Sequence, residues 1–203
     1  MIRTTLFIAA LAFASPALAQ TGAAMRPTVD APPILDGAAL TGAAPAAGSV
    51  RNAADLLSMH PTVSAERLAQ ARADIPWSPW VAMHPVFGDS FTEARLPRTA
   101  VVFNDVLQGI SPPIGAAKAA YDRRRPFIAN PNVIQCDAPD DMLARSGSYP
   151  SGHGAGGWAW ALVMAELVPS RADAILQRGR DFGDSRVGLS KHYQSRHECS
   201  PGP

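Results

Sequence analysis

Cysteine is scarce in this 203-residue chain: there are two, Cys136 and Cys199. Two thiols cannot build a disulfide framework or a structural zinc site. Charge is also thin, at 17% of residues against the roughly 25% usual for globular proteins. The 18 basic and 17 acidic side chains nearly cancel. A nucleic-acid partner is therefore not expected, since binding phosphates along a strand needs a basic surplus. Long hydrophobic runs are missing as well. Residues 6–14 are apolar, and residues 158–165 are apolar until Glu166. Neither run approaches the ~20 residues that a membrane helix needs. Alternating strand patterns are nearly absent, β-branched runs are short, and no internal repeat is visible.

What is present is a chain that is 47% apolar. That suffices for a core and excludes a wholly disordered protein. The length fits one domain of ordinary size. Prolines number 19, about twice the usual share of ~5%, and they punctuate the body. The pattern predicts an all-α domain of helices joined by proline-marked loops.

The first 19 residues read as a secretory signal. Arg3 gives the positive start, residues 6–14 the apolar stretch, Pro16 the break and Ala17-Leu18-Ala19 the cleavage site. The reading predicts a periplasmic or secreted protein in an oxidising compartment. Residues 20–50, rich in Ala, Pro and Gly, read as an extended arm. Short amphipathic helices are expected around Ala53–Leu57 and around Leu68 and Ala71. Pro76, Pro79 and Pro85 should cut the next stretch into turns. A helix should start at Pro97 and stop at Pro112-Pro113, with another running from Ile114 to about Arg124. Residues 151–167 should form a buried helix. Ser170, with Asp173 three residues on, should cap one more through about Phe182.

Three clusters carry chemistry. The first is Lys118, six intervening residues, then Arg125-Pro126. Positions seven apart on a helix lie about 20° from one another and about 10 Å apart along the axis. Both cations would then share a face and could clamp an anion, with Pro126 ending the helix. The alternative is a solvated basic helix end. The second cluster is Ser148-Tyr149-Pro150-Ser151-Gly152-His153, followed by Gly154, Gly156 and Gly157. A helix starting there exposes backbone N–H groups suited to an anion. Gly152 allows close approach, Ser151 adds a hydroxyl, and His153 can move a proton. The alternative is a capped helix with an incidental histidine. The third cluster is Ser185-Arg186, five residues, then His192. On one ideal helix Arg186 and His192 would not share a face, but Gly188 and Ser190 allow a break that brings them together. The alternative is a frayed polar helix end. All three supply anion ligands, and no carboxylate pair of the kind metals favour accompanies them.

Taken together, these clusters resemble the tripartite signature of the type 2 phosphatidic acid phosphatase superfamily. The runs 148–153 and 185–195 are similar to its class A bacterial non-specific acid phosphatases. The likeness covers roughly residues 50–195, read as the phosphatase domain at 51–195. It implies an all-α bundle of the kind shared with vanadium haloperoxidases, and metal-free hydrolysis of small phosphomonoesters through a phosphohistidine, with no cofactor. It makes His192 the nucleophile and His153 the general acid and base. Lys118, Arg125, Ser151, Gly152 and Arg186 become the phosphate ligands. Vanadium haloperoxidases share the signature but are larger as a rule. The family places an aspartate four residues after the nucleophile, and this chain has Arg196. Residues 196–203 read as an aberrant tail and the family's last helix as missing. A one-base shift at codon 196 can restore Asp-Met-Asn-Ala-Ala-Arg-Ala, which sequencing the gene there would test. Impaired activity is then expected, because an unfixed imidazole tautomer costs a triad enzyme about 10⁴-fold. A non-catalytic phosphate-binding remnant and a vanadate-dependent haloperoxidase are the other readings. A Cys136–Cys199 pair is the alternative to a single buried thiol at Cys136.

Overall fold

The computed structural model describes residues 35–57, 64–130, 132–133 and 141–193. The leader expected at 1–19, the tail expected at 196–203, and Cys136 and Cys199 lie outside them. The described residues are helical and contain no strand. The helices run α1 (Gly37–Thr41), α2 (Val50–Leu57), α3 (Ala65–Ala73), α4 (Pro79–Phe87), α5 (Pro97–Tyr121), α6 (Pro126–Ala129), α7 (Asp141–Ala144), α8 (Gly152–Leu167) and α9 (Ala172–Gly188). The all-α expectation holds. None of them is long and apolar enough to cross a membrane.

Helices α8 and α9 form the centre. They approach so closely that a Cβ on Gly179 would stand 2.5 Å from Ala161 Cβ, and one on Gly157 would stand 3.0 Å from the Gly179 carbonyl oxygen. Only glycine allows backbones to approach this closely. Trp160, Ala161 and Met164 of α8, Ile175 and Phe182 of α9, and Phe103 of α5 make the core with Ala82, Met83 and Phe91. Trp80 packs on Phe91 and Phe103 at centroid distances of 5.0 and 5.2 Å.

Several proline-based expectations fail. α5 runs through Pro112 and Pro113. In that turn the Ser111 hydroxyl donates back to the Leu107 carbonyl at 2.6 Å. α4 likewise contains Pro85. In both helices tertiary packing overrides the local preference to break. The arm is not extended throughout, because α1 lies within it. Tyr121 and Tyr149 hydroxyls donate to the Ala38 and Thr41 carbonyls at 2.6 and 2.5 Å. Ser170 does not cap α9. It falls in a 3-10 turn, Pro169–Arg171, and α9 continues six residues past Phe182 to Gly188. α8 is buried on one side only, since Leu162 and Leu167 are exposed.

Candidate active site

The three clusters reach their places by different routes. α5 ends at Tyr121, where Asp122 adopts a left-handed conformation (φ 38°). Arg125 is therefore not on the helix that carries Lys118. It is the N-cap of α6, and Pro126 opens that helix rather than closing the previous one. The shared helix face predicted for the two cations does not exist. They meet all the same: Lys118 Nζ donates to the Gly147 carbonyl at 2.7 Å and Arg125 Nη2 to the same oxygen at 3.4 Å.

Arg125 is buried and bridges two segments. Its Nε donates to the Leu143 and Ser146 carbonyls at 2.5 and 3.0 Å, and its Nη2 to Ser146 Oγ at 2.8 Å. Its Nη1 reaches the Lys191 carbonyl at 3.0 Å and His192 Nε2 at 3.2 Å. The guanidinium thus ties the 143–148 loop to the segment carrying His192.

His192 is buried and arrives by the predicted break. α9 ends at Gly188, Ser190 turns at φ 58°, and Lys191 N–H donates to the Arg186 carbonyl at 3.0 Å. The two ring nitrogens of His192 face opposite kinds of partner. Nδ1 lies 2.8 Å from the Ser148 carbonyl oxygen, which can only accept. Nε2 faces the Arg125 guanidinium, which can only donate. Both contacts select one neutral tautomer, with the proton on Nδ1 and the lone pair on Nε2. Tyr193, the next residue, lies under Arg123, whose guanidinium carbon is 3.9 Å from the ring centroid. Arg123 pairs with Asp55 at 2.6 Å. Burial raises the Tyr193 phenol above its ordinary pKa, with Arg123 partly opposing.

The second cluster starts α8 as expected. Ser151 is its N-cap and accepts from Gly154 N–H at 3.1 Å. A Cβ on Gly152 would meet nothing within 4 Å, so there is room beside this residue, while Ser151 before it is buried. His153 sits in the first turn, with Nε2 3.1 Å from the Ile75 carbonyl oxygen and its ring stacked on Phe182 at 5.1 Å. Arg186 is buried in the last turn of α9. The contacts named above join Lys118, Arg125 and His192 around one loop. They do not by themselves join His153 or Arg186 to it. A cavity of about 370 Å³ runs between α8 and α9, walled by Tyr149, Ser151, Trp158, Leu162 and Arg180 among others. It adjoins the set at Ser151.

Several participants escape the sequence. The Gly147 and Ser148 carbonyls belong to the backbone and leave no trace in side-chain patterns. Ser146, two residues before the second cluster, carries no motif of its own. His84 pairs with Asp89 on the surface at 3.0 Å, as a structural histidine would.

No family model matches the chain. The chain is similar to bacterial acid phosphatases. It is 41% identical over 102 residues to an acid phosphatase of Zymomonas mobilis, covering 50% of this chain and 39% of that one. It is 40% identical over 116 residues to a non-specific acid phosphatase of Providencia stuartii, covering 56% and 46%. It is 39% identical over 113 residues to one of Salmonella typhimurium, covering 55% and 45%. The aligned stretch thus spans less than half the length of each of these relatives.

Proposed function

We propose that the chain is an exported, metal-free acid phosphatase acting on small phosphomonoesters through a phosphohistidine at His192. Residues 51–195 form the catalytic domain, behind a leader at 1–19. The observation that carries the reading is the His192 ring, whose Ser148 and Arg125 contacts select the tautomer with its lone pair on Nε2. An attacking imidazole needs that form. The cations around it favour a tetrahedral oxyanion over a metal ion.

In the proposed reaction Nε2 attacks phosphorus and the P–O bond to the alcohol breaks. His153 gives the departing oxygen a proton. A water, deprotonated by His153, then attacks the phosphohistidine and frees inorganic phosphate and His192. Charge spreads over the equatorial oxygens in both steps. Lys118, Arg186, the Ser151 hydroxyl and the N–H groups at Gly152 take it up. Arg125 joins them by exchanging its bond to Nε2 for one to a phosphoryl oxygen.

The missing aspartate weighs less in this reading than the sequence alone suggests. The Ser148 carbonyl already does half of what that carboxylate would do, because it fixes the tautomer. It brings no negative charge to steady the cationic phosphohistidine. Arg196→Asp is therefore expected to raise turnover of p-nitrophenyl phosphate, by well under the ~10⁴-fold that a wrong tautomer costs. The experiment assays both proteins from acid to neutral pH and traps the acid-labile phosphoenzyme after a rapid quench. Turnover in neither protein would overturn the reading. A non-catalytic phosphate-binding remnant is the second reading, favoured by Arg196 where the resemblance places an aspartate. It predicts phosphate binding without turnover.

A further inference from the structure

Asp74 caps α3 at its C-terminus and is fully buried. Its carboxylate receives the fork of Arg178, with Nη1 3.1 Å from Oδ2 and Nη2 2.5 Å from Oδ1. Gln70 Nε2 donates to Oδ1 at 2.9 Å. The Ser185 hydroxyl, with one proton to give, stands 2.5 Å from Oδ2 and 2.9 Å from the Asp181 carbonyl. Arg67 of α3 adds bonds to Ser185 Oγ at 2.9 Å and to the Asp181 carbonyl at 3.0 Å. Arg178 and Ser185 are seven positions apart on α9, so they share a face two turns apart. One carboxylate therefore grips the last turns of α9.

Those turns carry the site. Arg186 follows Ser185 directly. The chain then leaves the helix at Gly188, folds back through the Lys191 bond to the Arg186 carbonyl, and presents His192. Any rotation or slide of the end of α9 moves both. Cohesion alone does not call for a buried carboxylate, since apolar side chains of similar volume hold helices together as well or better. A guanidinium fork on a carboxylate has instead a strongly preferred geometry, which fixes rotation.

We propose that Asp74 is a positioning residue for the reaction, acting through Ser185 and Arg178 to fix Arg186 and His192. The inference rests on the phosphatase reading above. Ser185→Ala removes the hydroxyl link and leaves the fork, Ser185→Thr returns the hydroxyl, and Asp74→Asn keeps the shape but turns an amide on Arg178. Kinetics are read well below the melting temperature. Ser185→Ala is expected to raise KM for p-nitrophenyl phosphate and the inhibition constant of inorganic phosphate about tenfold, and to lower kcat by a similar factor because His192 moves with Arg186. Threonine should recover most of this, and Asp74→Asn should go further in the same direction. Lower melting temperatures with KM and phosphate inhibition unchanged would overturn the proposal, leaving Asp74 a structural residue. If Asp74→Asn does not fold, the alanine and threonine variants at 185 decide. Absence of turnover in both the wild type and Arg196→Asp refutes the phosphatase reading instead. Calorimetric titration with inorganic phosphate then decides on the same variants: affinity lost with alanine and regained with threonine supports the positioning role, and unchanged or undetectable binding overturns it.

Discussion

The two halves of the candidate site differ in how they treat their donors. Around Lys118, Arg125 and His192 the chain has turned its own carbonyls inward, and Gly147 receives both cations. At the start of α8 there is room for a Cβ on Gly152, and the Ser151 hydroxyl accepts from Gly154 of its own helix. The first half is tied to loop carbonyls, and the second to its own helix. In the proposed reaction a phosphoryl group must compete with the Gly147 carbonyl for Lys118 and Arg125. Preorganisation and occupancy thus come from the same contacts, since the carbonyls that aim the cations also compete with the ligand.

His192→Ala should lower kcat for p-nitrophenyl phosphate roughly 10⁴- to 10⁶-fold, the scale of losing a nucleophile. It should also abolish the trapped phosphoenzyme. His153→Asn should cost less, about 10²- to 10⁴-fold, as for a lost general acid. The loss should be smaller for p-nitrophenyl phosphate than for an alkyl phosphate, because a nitrophenolate needs little help to leave. A larger loss at His153 than at His192, or equal losses on both substrates, would mean that the roles are misassigned.

Gly147→Ala tests whether the loop carbonyl competes for the two cations. Its new methyl would stand 2.9 Å from the Lys118 carbonyl oxygen, a backbone atom that yields little. The loop must lift, at a cost of about 1–3 kcal/mol measured by thermal melting. The Gly147 carbonyl should then hold the cations less well. Inorganic phosphate should inhibit more tightly, by roughly two- to tenfold, the worth of one ordinary hydrogen bond. Weaker inhibition would show that the carbonyl aims the cations more than it competes for them.

How much of this was legible in the sequence depends on the kind of contact. The helix expected at 151–167 was readable, while the capping role of Ser151 was only the alternative to an anion-binding hydroxyl, and the hydroxyl does accept from Gly154. The break at Gly188 and Ser190 that delivers His192 was also readable. The link between Lys118 and Arg125 was readable only as a pairing. The predicted route, one helix face, gave way to a left-handed turn at Asp122 and a meeting on Gly147. Pro112, Pro113 and Pro85 misled because packing against neighbouring helices outweighs a lost hydrogen bond. Asp74 and Asp55 left no sequence signal, since each has meaning only through an arginine far along the chain, at 178 and 123.

A weaker effect is expected at Tyr193, which follows His192 and whose ring lies under Arg123. Burial raises its pKa above the ordinary value of 10.0. A group whose pKa is higher in the folded state favours folding while it stays protonated. That contribution is complete below the unfolded value and is lost as pH climbs through the folded one. Stability should therefore decline on the alkaline side of pH 10.0, as the phenol is forced to ionise beneath Arg123. Tyr193→Phe should flatten that limb of the melting-temperature profile, and should leave the phosphate inhibition constant at acid pH unmoved because the ring over Arg123 remains. If the hydroxyl itself held His192, inhibition would weaken at acid pH as well, and that hold would have to be assigned to the oxygen rather than to the aromatic face.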